Sequence, residues 1–355
     1  MTWEKEVKDI KKREELSLKH GGEESVKIHH QKGRKTLRER LSIILDDGSF
    51  QEIGKIAGDA EYDENGELKD FTPANFLLGF GKINKRSVII GGEDFTMKGG
   101  SPNPSGLRKS IYTEELALKY KIPLVRLHEG GGGSVAGSGG TAKKPTIPSG
   151  DAVFSKNRFQ ALAQCLGTVP VATAALGPVA GLPAARLVAS HFSVMTKNSQ
   201  VLIAGPAVVK RALGIDITKE DLGGPNVHLK SGAVDNLAED EDDALNQIKI
   251  FLSYLPNNYL ELPPKKETKD KRDRIENELL TIIPKERRKT YDVRKLLSLI
   301  LDLNSFFEYG KYYGSSLITG LATLDGQPVA ILANDCRIYA GAMTATASIK
   351  LRRFI

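Results

Sequence analysis

Only two cysteines, Cys165 and Cys336, occur in 355 residues, each in apolar surroundings and neither in a C-x-x-C pair. That leaves no disulfide framework and no thiolate zinc site; both are expected to be reduced core residues of a cytoplasmic protein, with no bound metal. Aromatic residues make up just 6%, and none interleave with the basic runs as stacking platforms, so no nucleic-acid partner is expected. A membrane-spanning segment is missing as well. The apolar stretch from Val169 to Ala185 is broken by Pro170, Gly177, Pro178, Gly181 and Pro183, a spacing that no lipid-exposed helix of the required length can carry. The opening MTWEKEVKDIKKREE is too charged for the apolar region of a signal peptide.

What remains is the composition of a globular chain, 40% apolar and 27% charged. The formal charge of +7 gathers in the first forty positions and in residues 263–295. Acidic residues are interleaved in both segments, which read as solvated helix and linker surface.

The chain also repeats itself. Leu41 to Lys55 (LSIILDDGSFQEIGK) returns at an offset of 256 as Leu297 to Lys311 (LSLILDLNSFFEYGK). Gly79 to Gly100 returns at an offset of 241 as Gly320 to Gly341, pairing Val88 with Val329, Asp94 with Asp335 and Lys109 with Lys350. So long a period indicates two tandem units of one fold, not a solenoid. The division expected is a basic helical extension over 1–36, a complete unit over 37–262, a charged linker over 263–292 and the start of a second unit over 293–355. In that register the second copy of the glycine-rich strand end would begin near position 363.

Short apolar strands alternate with helical stretches in the first unit. Strands are predicted at Ser87–Gly91, Pro123–Leu127, Val169–Ala174, His191–Val194 and Gln200–Ile203, and helices at Ser105–Tyr120, Ala152–Cys165, Ala184–Ala189 and Asp240–Leu255. Such alternation indicates an α/β domain whose chemistry lies in loops leaving the strand ends. The richest of these is LHEGGGGSVAGSGG, Leu127 to Gly140. Its glycines suit an oxyanion hole, a phosphate or dinucleotide cradle, or a flexible linker. A second small-residue loop is read at Ala174 to Ala184, either as a wall beside a ligand or as room for close helix packing. His128 and Glu129 are adjacent on a strand and face opposite ways, so they form no obvious dyad, and His191 and His228 have no recognisable metal or nucleophile partner. An oxyanion site without a base suggests that the base arrives with a substrate or cofactor.

Together, DFTMKGGS (Asp94–Ser101), IPLVRLHEGGGGSVAGSGG (Ile122–Gly140), ALGPVAGLPAARLVASHFSVM (Ala175–Met195), AGPAVVKRALG (Ala204–Gly214), DLGGPNVHLKSGAVDNLAEDEDDAL (Asp221–Leu245) and AILANDCRIYAGAMT (Ala330–Thr344) resemble the carboxyltransferase (β) subunit of biotin-dependent acyl-CoA carboxylases, the propionyl-CoA and acetyl-CoA group. The family often carries Ser-Gly-Gly-Ala-Arg where this chain has Gly130 to Ser134. The resemblance implies a crotonase-like (ClpP/crotonase) spiral fold and carboxyl transfer from carboxybiotin to the α-carbon of a short-chain acyl-CoA. It implies backbone donors to the thioester oxygen at Gly131 and Gly132, and an acyl-CoA site drawn from Lys98, Gly99, Gly100, Gly130, Gly133, Gly177 and Gly181. Lys109 is a further phosphate contact on this reading, although its recurrence as Lys350 favours a structural role. Biotin would be carried on a separate protein, with a biotin carboxylase or carrier subunit as partner and a homo-oligomeric assembly.

Three readings compete: the acyl-CoA half of a carboxylase, the matching subunit of a biotin-dependent acyl-CoA decarboxylase, and a non-catalytic CoA-binding or assembly subunit. On the first, the 355-residue chain is expected not to transfer carboxyl from carboxybiotin unaided, because the second glycine-rich site holds the biotin. The check is an assay of the chain alone and mixed with a polypeptide that supplies the second site; rapid turnover by the chain alone overturns the expectation.

Overall fold

The computed structural model describes residues 2–131, 158–268, 270–271 and 273–355. Three helices open the chain, α1 (Glu4–Ser17), α2 (Glu23–Gln31) and α3 (Leu37–Ile44). Then come β1 (Gln51–Glu52), β2 (Gly58–Tyr62), β3 (Leu68–Pro73), β4 (Phe76–Ile83), β5 (Arg86–Glu93), α4 (Pro104–Tyr120), β6 (Leu124–Gly130), α5 (Arg158–Leu166), β7 (Val171–Ala180), α6 (Leu182–Val188), β8 (Phe192–Thr196) and β9 (Gln200–Leu202). The first unit closes with α7 (Pro206–Leu213), α8 (Lys219–Gly223), α9 (Pro225–Ser231), β10 (Asn236–Ala238) and α10 (Glu241–Ser253). Beyond a stretch whose described residues hold one short 3₁₀ turn lie α11 (Val293–Ile300), β11 (Phe307–Glu308), β12 (Leu317–Leu324), β13 (Gln327–Asn334) and α12 (Ala345–Phe354).

Local chemistry sets these boundaries. Thr36 and Glu39 form a reciprocal capping box on α3, Asn103 caps α4 ahead of Pro104, and Asp240 caps α10 over an acidic first turn. Asn84 and Lys85, at φ 50° and 67°, make the tight turn between β4 and β5.

The main sheet runs β1-β4-β5-β6-β7-β8-β10, with β9 on the far half of β7. Strands β1, β4 and β5 are antiparallel neighbours, whereas β5 through β8 and β10 are parallel. Parallel strands must be covered on both faces, and these are. Leu37, Leu41, Ile44, Leu245 and Ile248 pack on Val125 and Leu127 from one side, while Leu116, Ala117 and Cys165 pack on Ile89 and Leu124 from the other. The mixed α/β architecture with its parallel sheet is the one expected of a crotonase-like chain.

One reading is corrected. The segment expected as a loop from Ala174 to Ala184 stays in strand β7 to Ala180, because β7 changes partner midway: Ala172 to Ala175 pair with β8 and Pro178 to Ala180 with β9. Gly177 therefore lies within a strand, and Gly181 alone makes the turn into α6.

The sequence repeat recurs residue for residue in the hydrogen-bond register. Gln51 pairs with Phe80 and Glu52 with Gly79; at the same offsets Phe307 pairs with Leu321 and Glu308 with Gly320. Asp46 receives the turn amides of Asn84 and Lys85, as Asp302 receives those of Asp325 and Gly326. Arg38 holds Glu52 at 2.9 Å, as Arg294 holds Glu308 at 2.6 Å. The small second sheet has its own core of Val293, Leu297, Leu301, Ile318 and Ala322 and docks on the first unit. There Tyr309 Oη donates to the His191 carbonyl at 2.5 Å and Arg353 pairs with Asp235 at 3.0 Å. Its last strand is less covered than its counterpart: β5 is almost wholly buried, but β13 alternates exposed and half-buried residues. Leu332 and Ile300 are exposed, and Leu296, Leu299 and Ile331 half-buried.

Where β1 crosses β4 closely, Gly79 has no room for a side chain; a β-carbon would lie 2.4 Å from the Gln51 carbonyl oxygen, and at Gly320 2.5 Å from the Phe306 ring. Gly79→Ala and Gly320→Ala are each expected to destabilise by about 1–3 kcal/mol, read from urea denaturation midpoints. An unchanged midpoint would show that the strands can part at no cost.

Candidate functional site

The C-terminal ends of β5, β6 and β7 converge on three glycine-bearing segments. After β5, residues 98 to 100 form a 3₁₀ turn in which Lys98, Gly99 and Gly100 all take left-handed backbone, at φ 53°, 62° and 68°. This turn presses on the end of β6. A β-carbon at Gly100 would lie 2.6 Å from both the Glu129 carbonyl oxygen and the Gly130 Cα, and one at Gly130 would lie 2.8 Å from the Gly100 carbonyl oxygen. The two chains can touch only as glycines. The Gly131 N–H donates to the Gly99 carbonyl at 3.2 Å, so this backbone donor already faces the turn. Gly132 and Gly133 lie outside the described residues. Gly177 packs against the Glu129 side chain: its β-carbon would fall 2.4 Å from Oε1. Gly181, at φ 70°, donates its N–H to the Leu202 carbonyl at 2.8 Å and opens α6. Gly99, Gly100, Gly130, Gly131 and Gly177 are thus brought together around Glu129, and Gly181 caps the neighbouring helix. Lys98 is exposed beside the turn. Lys109 is buried; its Nζ donates to the Gly54 carbonyl at 3.2 Å and lies 3.6 Å from Glu52. That is a structural tie, repeated by Lys350 on the Leu317 carbonyl at 2.6 Å.

Beneath the glycines sits an ionic cluster. Glu129 is fully buried and meets two guanidinium groups and an imidazole: Arg40 Nη2 at 2.6 Å, Arg34 Nη1 at 3.1 Å and His29 Nε2 at 3.4 Å. Arg40 is shared with Glu241 of α10 at 2.7 Å. Burial pushes the Glu129 carboxyl up, but His29, Arg40 and Arg34 together outweigh it and hold it below the usual range. The N-terminal helices bring these groups in. Phe95, next to the turn, carries the His29 ring at 5.7 Å and Arg34 over its face at 5.7 Å, and His20 Nδ1 meets Asp94 at 2.8 Å. The basic N-terminal segment, read as solvated surface, is in part a wall of the site. Its signal in the sequence was the spacing of His29, Arg34 and Arg40 around a helix cap, which a charge count cannot separate from solvent-exposed helix.

On the opposite face of β6, His128 Nδ1 lies 3.1 Å from Glu93, and burial lowers its pKa further than Glu93 raises it. His128 and Glu129 do face opposite ways. Arg126 and Arg186 close on Glu114 at 2.8 and 2.7 Å. His191 and His228 are absorbed by backbone carbonyls, of Leu166 at 2.9 Å and Val201 at 2.6 Å. Among the described residues no group of three or more His, Cys, Asp or Glu is placed to hold a metal, and no helix is long and apolar enough to cross a membrane.

The carboxyl transferase domain family matches residues 28–355. The propionyl-CoA carboxylase carboxyltransferase subunit of Haloferax mediterranei is 32% identical over 100% of this chain and 67% of its own length. The methylmalonyl-CoA decarboxylase subunit alpha of Veillonella parvula is 32% identical over 94% of this chain and 64% of its own. The human mitochondrial propionyl-CoA carboxylase beta chain is 29% identical over 98% and 63%. The chain therefore spans about two-thirds of the length of these relatives. Among solved structures, the transcarboxylase 12S hexamer core with hydrolysed methylmalonyl-CoA superposes with a TM-score of 0.86 at 30% identity, over 100% of this chain and 68% of that one.

Arg40→Met leaves two buried carboxylates short of a cation and is expected to cost about 3–5 kcal/mol at pH 7. Glu129 has a depressed folded pKa, so its share of stability is present above the ordinary carboxylate pKa and lost as pH falls through the folded value. The penalty should therefore shrink below about pH 4. Urea titrations at pH 7 and pH 3.5 check this; a penalty that does not change with pH would mean that Arg40 acts through packing.

Proposed function

The chain belongs to the carboxyl transferase domain family, and from that premise we propose that it binds a short-chain acyl-CoA and takes part in carboxyl transfer to its α-carbon. One observation carries the reading: the contact of Gly100 with Gly130, which sets the Gly131 backbone at the mouth of the parallel sheet over a fixed buried charge. Removing the α-proton of a thioester develops negative charge on its oxygen, and aimed backbone N–H groups in a site shielded from water stabilise that charge by several kcal/mol. The Gly131 N–H would leave the Gly99 carbonyl for the thioester oxygen, with Gly132 as its neighbour donor. Lys98, exposed beside the turn, would meet the CoA phosphates, and Gly177 and Gly181 would border the acyl end.

Biotin on a separate carrier would supply the carboxyl group and the base. On this reading the thioester oxygen lies at the glycine contact of the first unit; the equivalent turn of the second unit, Tyr339-Ala340-Gly341, keeps only its last glycine. A biotin carboxylase or carrier subunit is the partner this chemistry requires, and a homo-oligomer in the manner of the 12S hexamer is the assembly we favour. The decarboxylase relative suggests that the same site serves either direction, with the net direction set by the other subunits.

Isothermal calorimetry with propionyl-CoA is the test. The unaltered chain should bind, and Gly100→Ala, whose methyl would lie 2.6 Å from the Glu129 carbonyl oxygen, should weaken binding at least about tenfold. Equal affinities would remove the glycine contact from the site.

A further inference from the structure

We propose that Glu129 is a positioning residue of this site: its paired carboxylate fixes the strand end from which the Gly130–Gly131 backbone offers its N–H groups, so that the Gly131 N–H need only exchange the Gly99 carbonyl for the thioester oxygen, and it locks the strand-β7 glycine to the same frame. The inference rests on the acyl-CoA reading above and adds a role for a side chain that no thioester would touch.

The geometry is specific. Glu129 is joined by a peptide bond to Gly130, so the rotation of its Cα sets the plane of the amide that follows. Its main-chain carbonyl is the surface on which Gly100 rests. Its side chain points to the other side of the sheet edge, into Arg40, Arg34 and His29, and its Oε1 occupies the space that a β-carbon at Gly177 would need. One residue thus touches all three glycine segments, two through the backbone and one through the carboxylate. The far end of a glutamate ordinarily swings aside for a methyl group. Here it is hemmed in: Arg34 donates to Oε1 at 3.1 Å, Arg40 lies 2.6 Å from Oε2 as a charge contact without hydrogen-bond alignment, and Arg40 is itself held by Glu241. Buried ion pairs contribute little net stability compared with apolar packing, yet they fix geometry. Backbone donors in an oxyanion site act only if held to within about half an ångström.

The experiment reads the thioester oxygen directly. The carbonyl stretch of ¹³C-labelled propionyl-CoA bound to the unaltered chain should move to lower wavenumber, as polarisation by aimed N–H groups requires. Glu129→Gln, which keeps the shape and loses the charge, should relieve most of that shift and weaken propionyl-CoA at least about tenfold, while free CoA changes by no more than about twofold. A merely structural role would weaken both ligands alike and leave the bound carbonyl stretch where it was. Gly177→Ala and Glu129→Asp, alone and combined, form a second arm that stands if Glu129→Gln does not fold. The shorter carboxylate makes room for the methyl, so the double variant should bind propionyl-CoA at least about threefold better than the single losses predict together. Additive losses, or a carbonyl stretch unaffected by Glu129→Gln, overturn the proposal. If the unaltered chain binds neither propionyl-CoA nor CoA, the functional reading itself falls and takes this inference with it; if it binds both and the variants behave as wild type, only the positioning role is lost.

Discussion

A carboxylate stripped of water is the constraint around which the first unit is arranged. Removing an ion of that size from solvent costs several kcal/mol even after relaxation, so Glu129 can stay charged at the end of β6 only with cations brought to it. Those come from a distance in sequence, Arg34 from the connection after α2 and Arg40 from α3, with the His29 ring of α2 beside them. Their recruitment accounts for why the N-terminal helices fold back over the strand ends. It also accounts for α10, whose Glu241 balances the second face of Arg40. Without that charge balance the apolar contacts of Leu37, Leu41 and Ile44 would still cover the sheet, but nothing would fix how the cover sits over the glycines.

The second unit repeats the frame. Its helix α11, the ion pair Arg294–Glu308, the Asp302 turn cap and the buried lysine Lys350 reproduce α3, Arg38–Glu52, Asp46 and Lys109. These are the devices a β-hairpin with a helix across it needs in order to fold. The repeat also settles against the first unit. Asp235 is buried beside Arg353 and accepts from Ser193 at 2.8 Å; burial raises its pKa more than Arg353 and Ser193 lower it. The same surroundings push the Tyr309 hydroxyl well up, burial first and Asp235 second. The phenol at that junction is therefore a neutral donor to the His191 carbonyl.

Much of the frame was legible in the sequence because it is local or periodic. Asp240 before an acidic turn marks α10, the apolar runs mark β5, β6 and β8, and the two offsets, 256 and 241, are reproduced in the strand register. The glycine cluster was legible as chemistry, since few other demands put so many glycines after one strand. Two things were not legible. Strand β7 outruns its first partner and takes another at Pro178, a choice made by tertiary neighbours against the local turn character of a Leu-Gly-Pro sequence. The clamp on Glu129 joins residues 89 to 100 positions apart, and no short-range pattern encodes a partner at that separation.

The duplication separates what the fold needs from what the site needs in the turn after β5. Tyr339, Ala340 and Gly341 hold the same left-handed backbone, at φ 49°, 52° and 75°, as Lys98, Gly99 and Gly100. Left-handed backbone costs a residue with a β-carbon roughly 1–2 kcal/mol, and the second copy bears that cost at Tyr339 and Ala340. A conformation kept at such a cost in both copies belongs to the hairpin-to-helix connection they share, and so the left-handed turn is not in itself a mark of ligand binding. The close approach is different. A β-carbon at Gly100 would collide with the backbone of residues 129 and 130 at 2.6 Å. Glycine at position 100 is demanded both by its φ of 68° and by the neighbouring strand end. What marks the site is therefore the backbone-on-backbone contact between the turn and β6, and it is there that the ion pairs of Glu129 have something to hold.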